Sequence, residues 1–183
     1  MINSEKEQAT IGFRKATEKD IPSILEIEKE SWMSVYPNEE EGITKQEVGE
    51  RFVDNTSSTE FLRDSLQDTH NLIYLIEKDG GIVGYVHLLV ETDYNDIVQI
   101  YLSPKHQRKG IGSAAMEYIL KTFGDSKPIR LQVARYNPAV QFYEKYGFLK
   151  TEIPQPQGEN WNILPSGKVI PIVVMERPAN ISL

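Results

Sequence analysis

Two segments of this chain carry residue types at spacings that can do chemistry. The first is Gln107-Arg108-Lys109-Gly110-Ile111-Gly112, which opens an apolar-periodic stretch just after a strand-like run. Gly110 and Gly112 have no Cβ, so backbone amides there can approach an anion closely. The first amides of a helix have no internal acceptor, and the helix dipole adds partial positive charge at that end. Arg108 and Lys109 add full charges, so the loop running on to Ser113 is competent to hold a diphosphate. The second segment runs from Asn137 to Phe148 and begins a helix after the next strand. Asn137 suits an N-cap, Pro138 a first helical residue, and Gly147 a left-handed C-cap. Ala139, Phe142, Tyr143 and Tyr146 fall on one face of that helix, and Tyr143 can set a phenol beside whatever the diphosphate carries. Together the segments imply an enzyme that uses a coenzyme with a phosphate-bearing handle.

Each segment has a blander reading. A lone G-x-G also occurs where a helix start tolerates glycine for packing, and an isolated tyrosine on an apolar face is a core aromatic. Gly110, Gly112 and Ala115 also spell G-x-G-x-x-A, a dinucleotide fingerprint. That fingerprint needs a tight strand-to-helix turn and an acidic residue about 20 positions on. Here Pro104 to Lys109 separate the strand from the first glycine, and Val133-Ala134-Arg135 stand where the acid belongs. Both facts count against a nicotinamide or flavin site.

The elements that must position these segments follow from periodicity and punctuation. Ile11 to Ala16 reads as a strand, and Thr17 or Asp20 caps a helix running to about Trp32. Thr44 starts a second helix, and Ser57 or Ser58 caps a third that ends near His70. Asn71 to Glu77 and Ile82 to Val90 are strands joined by Lys78-Asp79-Gly80-Gly81, where the paired glycines supply positive φ. Strand Asp96 to Leu102, helix Gly110 to Phe123 and strand Pro128 to Ala134 form a βαβ unit, which should run parallel. Phe148 starts another strand, a loop runs from Pro154 to about Gly167, and Val169 to Glu176 is the last strand. The expected fold is mixed α/β on one sheet, a single domain over 11–177 between tails at 1–10 and 178–183. Both motifs lie at the carboxyl ends of strands, where ligands of such units gather.

Composition narrows the function classes. The chain has 183 residues, of which 39% are hydrophobic and 26% charged, as expected for one soluble domain. No apolar run is long enough to span a bilayer, and the first residues lack a secretion signal, so a cytoplasmic protein is expected. There is no cysteine, which excludes disulfides, thiolate metal sites and a cysteine nucleophile. His70, His87 and His106 lack metal-ligand spacing, so no metal is expected. The formal charge is −7, and the one dense basic cluster, Lys105 to Lys109, suits a single anion better than a nucleic-acid backbone. The acidic remainder either favours a cationic substrate or serves only to keep the protein soluble.

With both motifs in order, the chain resembles a GNAT-family N-acetyltransferase. Gln107 to Gly112 matches the family's Q/R-x-x-G-x-G/A signature, and Asn137 to Phe148 matches its N-x-x-A-x-x-x-Y-x-x-x-G-F segment. The resemblance covers roughly Ile11 to Arg177. It implies a mixed, mostly antiparallel sheet of about seven strands, flanked by helices and splayed between 96–102 and 128–134. It implies acetyl-CoA as cosubstrate, its pantetheine arm along Ile100, Tyr101 and Leu102. The pyrophosphate would meet the amides of Gln107, Arg108, Lys109, Gly110, Ile111, Gly112 and Ser113, and Asn137 would reach the thiol end. It implies direct transfer to a small-molecule or peptide amine in a ternary complex, with an amide near Tyr101 or Leu102 for the oxyanion and Tyr143 protonating the leaving thiolate. Asp96 aligns with the strand position where many relatives carry a glutamate, which makes it the candidate base, with Glu91 and Asp93 as rivals. Trp32, Tyr36 and Trp161 stand as candidate acceptor walls. Dimers are common in the family, so a homodimer is open. A non-catalytic acyl-CoA sensor on the same fold is the alternative function.

Overall fold

A computed structural model describes residues 10–154 and 160–180 of the protein. The strands are β1 (Ile11–Lys15), β2 (Asn71–Lys78), β3 (Gly81–Val90), β4 (Asn95–Leu102), β5 (Ile129–Ala134), β6 (Leu149–Thr151) and β7 (Ile172–Arg177). The helices are α1 (Ile21–Val35), α2 (Lys45–Glu50), α3 (Thr56–Gln67), α4 (Ile111–Phe123) and α5 (Ala139–Lys145). All seven strands join one sheet in the order β1-β2-β3-β4-β5-β7-β6. Every neighbouring pair is antiparallel except β4 with β5, whose α4 crossover makes them parallel.

That one parallel pair shapes the molecule. β4 and β5 are in register only at Asn95↔Ile129, Asp96↔Arg130 and Ile97↔Leu131, whereas β4 continues along β3 as far as Gly84↔Leu102. The sheet therefore opens beyond Ile97, as anticipated. At the same point the β3–β4 register slips, so that Val98 has no partner on β3. A bulge of this kind bends its strand and turns it away from the regular ladder.

Alternation along the strands divides the core between two faces. Ile73, Leu75 and Tyr85 meet Ile21, Ile24 and Ile27 of α1 and Leu62 of α3. Ile76, Val86, Leu88, Leu131 and Val133 meet Ile111, Ala115, Met116 and Ile119 of α4, together with Val140 and Tyr143 of α5. A third cluster sits at the open end of the sheet, built on Trp32, Tyr36, Ile43, Phe52, Leu164 and Ile170. Among the described residues no helix is long and apolar enough to cross a membrane.

Several local expectations are corrected. α1 continues to Val35, because nothing after Trp32 breaks it. α3 begins at Thr56 behind Asn55, with Thr56 anchored to Asp54, so neither Ser57 nor Ser58 is its cap. In the β2–β3 hairpin the left-handed residues are Asp79 and Gly80, with φ of 52° and 77°, while Gly81 already belongs to β3. Aspartate tolerates that conformation better than most residues, and two consecutive positive-φ positions match the twist of the flanking strands. β7 starts at Ile172, after Val169 forms only an isolated bridge to Ile163. Residues 155–159 of the long loop, and residues 1–9 and 181–183 of the two expected tails, lie outside the described residues.

Candidate active site

The loop after β4 is built by backbone geometry. Pro104–His106 forms a single 3-10 turn. Gln107 then donates its N–H to the Pro104 carbonyl at 3.3 Å and its side-chain Nε2 to the Leu102 carbonyl at 3.1 Å. Its own amide is thus engaged, and its side chain ties the loop to β4. Arg108 and Gly110 both adopt left-handed conformations, with φ of 57° and 79°. Alternating left- and right-handed residues curl successive N–H groups toward one point, an anion-binding nest. From Arg108 to Ser113 the amides have no backbone acceptor among the described residues, since the first bond into the helix is Ala114 N–H to the Gly110 carbonyl at 3.1 Å. A Cβ built on Gly110 meets nothing within 4 Å, so this side of the loop is open. His106 has its pKa pushed down, first by desolvation and then by the cations Lys109 and Lys105. Convergent amides, an open face and a positive field fit a diphosphate.

The same strand borders the opening in the sheet. Tyr101 points toward α1, where its hydroxyl accepts from Trp32 Nε1 at 2.9 Å, while Ile100 and Leu102 pack on the α4 side. The Leu102 carbonyl also accepts from Ser31 Oγ at 3.0 Å. α5 closes over the loop: a Cβ on Gly112 lies 3.8 Å from both the Phe142 ring and the Leu102 side chain. Tyr143, on the next position of α5, is buried against Phe142 and Phe148. Desolvation raises its phenol pKa well above the usual value, and nearby Tyr36 reinforces the shift. Tyr143 therefore stays protonated at neutral pH, and its hydroxyl donates to no described residue. Asn137 caps α5 by accepting the Ala139 N–H at 2.9 Å, which fixes its side chain and leaves its amide nitrogen to reach a ligand. Helix α5 begins at Ala139 rather than Asn137, because the first turn is held by the asparagine side chain and by a tight i→i+3 bond from the Val140 N–H to the Asn137 carbonyl at 3.0 Å.

On the α1 side of the opening lies a cavity of about 670 Å³. Trp32, Tyr36 and Trp161 do form walls of it, with ring centroids 4.2 Å apart for Trp32–Tyr36 and 6.0 Å for Trp32–Trp161. Arg51 stacks 4.3 Å over the Trp32 ring and donates to the Trp161 carbonyl at 3.2 Å. Among the described lining residues Arg51 is the only arginine or lysine, against four carboxylates, Glu28, Asp68, Glu91 and Asp96. Asp93 is not among the lining residues. Asp96 sits in the last paired stretch before β4 leaves β5, half-buried and in register with Arg130. It also borders a smaller cavity of about 220 Å³ with Tyr94, Arg130 and Gln132.

Glu28 and His87 are among the lining residues that the sequence did not mark. Glu28 is 5% exposed, and desolvation pushes its pKa up to about 7 against the opposing pull of Arg51. Its signal was present as an acid within the inward apolar stripe of α1, beside Ile24 and Ile27. His87 is fully buried, with Nε2 2.6 Å from Asn71 Oδ1, and desolvation pushes its pKa down to about 4. Gln99 faces His87 closely enough to oppose that shift, yet His87 Nδ1 and Gln99 Oε1 do not meet in hydrogen-bond geometry. Nothing in the spacing of His87 announces a neutral imidazole on a cavity wall.

A family model described as an acetyltransferase (GNAT) domain matches residues 37–163. A spermidine N(1)-acetyltransferase of Thermoplasma acidophilum is 28% identical over 147 residues, spanning 76% of this chain and 88% of that protein. The peptidyl-lysine N-acetyltransferase YiaC of Escherichia coli is 26% identical over 138 residues, spanning 74% of this chain and 82% of that protein. A solved structure of the PaiA N-acetyltransferase of Thermoplasma acidophilum, in complex with coenzyme A, superposes with a TM-score of 0.69 at 22% identity, covering 92% of this chain and 99% of that one. Most of the chain, including the nest, the opening and α5, falls within the matched domain, and the protein is an acyltransferase of the GNAT family.

Proposed function

We propose that the protein moves the acetyl group of acetyl-CoA to a primary amine by direct transfer in a ternary complex, with a small cationic amine as the favoured acceptor. One observation carries this reading: the open amide loop at 108–113 and an acid-lined cavity border the same strand, β4, where it parts from β5. The diphosphate of the coenzyme fits the loop, with Arg108 and Lys109 as its charged partners and Gln107 holding the loop in shape. The pantetheine arm fits the free edge of β4 at Ile100, Tyr101 and Leu102, beyond the last pairing with β5. The thiol end then lies between Asn137 and Tyr143, and an amide near Tyr101 or Leu102 faces the carbonyl oxygen.

The chemistry asks for three things. The acceptor is an ammonium at neutral pH, since alkylamines have pKa values near that of lysine, about 10.4. A carboxylate of the cavity must remove one proton, and Asp96 is the candidate that the strand position suggests. A preorganised donor must meet the developing oxyanion, and an acid must protonate the thiolate, a role that the neutral phenol of Tyr143 suits. The chain has no cysteine, so no acyl-cysteine forms. Four carboxylates against one arginine favour a cationic acceptor, in keeping with spermidine and peptidyl-lysine named for two relatives.

Isothermal titration with acetyl-CoA, followed by an amine library with detection of released thiol, tests the proposal. Binding without turnover of any amine favours the acyl-CoA sensor. Absence of binding at millimolar acetyl-CoA refutes both.

A further inference from the structure

α1 turns Ile21, Ile24, Ile27 and Glu28 toward the protein interior. A glutamate in that position is costly unless it is paired or neutral. Glu28 forms no hydrogen bond or close ion pair with a described residue, yet it lines the cavity. Its carboxyl is withdrawn from bulk water and open to whatever enters. The charged and titratable groups that face it are Arg51 after α2, Tyr36 at the end of α1, Tyr85 on β3 and Tyr101 on β4. The three phenols have raised pKa values, chiefly through desolvation, and so remain neutral. The Tyr85 hydroxyl has no hydrogen-bond partner among the described residues. The same cavity is lined by His87, Asp68, Glu91 and Asp96. Tyr101 is also the residue whose backbone borders the opening in the sheet, so its phenol links Glu28 to the strand edge where transfer is proposed.

We propose that Glu28 is the general base of the acetyl transfer, accepting a proton from the acceptor ammonium beside Tyr101. The assignment rests on the N-acetyltransferase reading above. One N–H bond of the ammonium breaks, and its proton joins a Glu28 carboxylate oxygen. The electron pair left on nitrogen attacks the thioester carbonyl carbon. The C–S bond breaks, and the sulfur pair takes the hydroxyl proton of Tyr143. The second N–H proton restores Tyr143, and the proton on Glu28 leaves through the cavity, so one proton is released per turnover.

Two observations favour Glu28 over Asp96. Asp96 is half-buried where β4 is still paired with β5, in register with Arg130, whereas Glu28 is 5% exposed, with its carboxyl turned into the cavity. Proton transfer is most effective when the base titrates near the working pH. An ordinary carboxylate near 4 lies about six units below an alkylammonium, and a value of about 7 for Glu28 halves that gap. The base must be unprotonated, so kcat/KM should climb as pH rises through the Glu28 pKa.

The test compares kcat/KM from pH 5.5 to 9 for the wild type, Glu28→Gln and Asp96→Asn with the best amine of the library. Acetyl-CoA affinity within about twofold of wild type confirms that each variant is folded. Glu28→Gln should lower kcat by about 10²-fold or more and flatten the rising limb near pH 7, while Asp96→Asn keeps that limb. Glu28→Asp, with its carboxyl retracted by one methylene, should keep the limb at reduced kcat. A limb that persists unchanged in Glu28→Gln, or disappears in Asp96→Asn, overturns the assignment alone. A wild type that binds acetyl-CoA but turns over no amine overturns the transferase reading and this assignment with it.

Discussion

Replacing Gly84 by alanine tests how tightly β4, the strand proposed to meet the coenzyme, is held. Gly84 lies on β3 opposite Leu102 of β4. A Cβ at that position falls 2.5 Å from the Tyr101 carbonyl oxygen and 2.5 Å from Leu102 Cδ2, with Ile76 Cδ1 at 3.3 Å. Ordinary contact needs about 3.5 Å, so β4 must retreat by about 1 Å. The leucine tip can rotate aside, but the Tyr101 carbonyl is backbone and moves only with its strand. Overpacking of this kind costs about 1–3 kcal/mol. For a domain of this size each kcal/mol lowers Tm by about 2–4 °C, so the expected loss is roughly 2–12 °C. The same displacement moves the edge of β4 proposed to bind pantetheine. A hydrogen bond of about 2.9 Å lengthened by that amount is lost. One such bond contributes about 0.5–1.5 kcal/mol, so the Kd for acetyl-CoA should rise about two- to tenfold. Gly12→Ala is the control, because its Cβ meets nothing nearer than Glu77 Cβ at 3.9 Å. Thermal melts and acetyl-CoA titration of both variants read the two effects. A Gly84→Ala protein with wild-type Tm and wild-type affinity refutes the claim that β4 is held against β3 at this point.

Other expectations follow from the same geometry. Tyr143→Phe should cut kcat by about 10²-fold or more, while acetyl-CoA affinity by calorimetry stays within about twofold; unchanged turnover across all acceptors assigns the acid elsewhere. Arg108→Ala combined with Lys109→Ala should weaken acetyl-CoA binding at low salt, with the difference shrinking as added salt screens these exposed charges. Asp20 accepts two bonds from Arg14, at 2.7 and 2.9 Å, and 2.8 Å bonds from both the Thr17 amide and its hydroxyl. Arg14 first, and then Thr17 against the opposing effect of burial, hold its carboxyl well below the usual carboxylate range. A depressed folded-state pKa stabilises the fold above the unfolded value of about 3.9 and loses that contribution as pH falls below it. Asp20→Asn should therefore destabilise by about 1–3 kcal/mol at pH 7 in urea melts, and the gap from wild type should narrow steadily toward pH 2.

The two chemical motifs were readable because each is local. Gly110 and Gly147 mark left-handed turns, and Asn137 with Pro138 starts α5, through forces acting within a few residues. The order of elements was readable for the same reason, and the parallel pairing of β4 with β5 followed from the helix between them. Local signals failed where two side chains offered similar caps, as at Asn55 to Ser58, and where a turn had a choice of residue for its positive φ, as at Asp79 to Gly81.

The acid-lined cavity belongs to another order of information. Glu28 and Arg51, His87 and Asn71, and Arg51 and Trp161 come together only after α1, the strands and the late loop have packed. The sequence by itself determined the family, the amide loop and the tyrosine helix, since backbone conformation and helix capping act over a few neighbouring positions. Only the tertiary structure decided which carboxylates share a cavity and which of them is dry. Burial, and the pKa that burial sets, is a property of everything that surrounds a side chain rather than of its place in the chain.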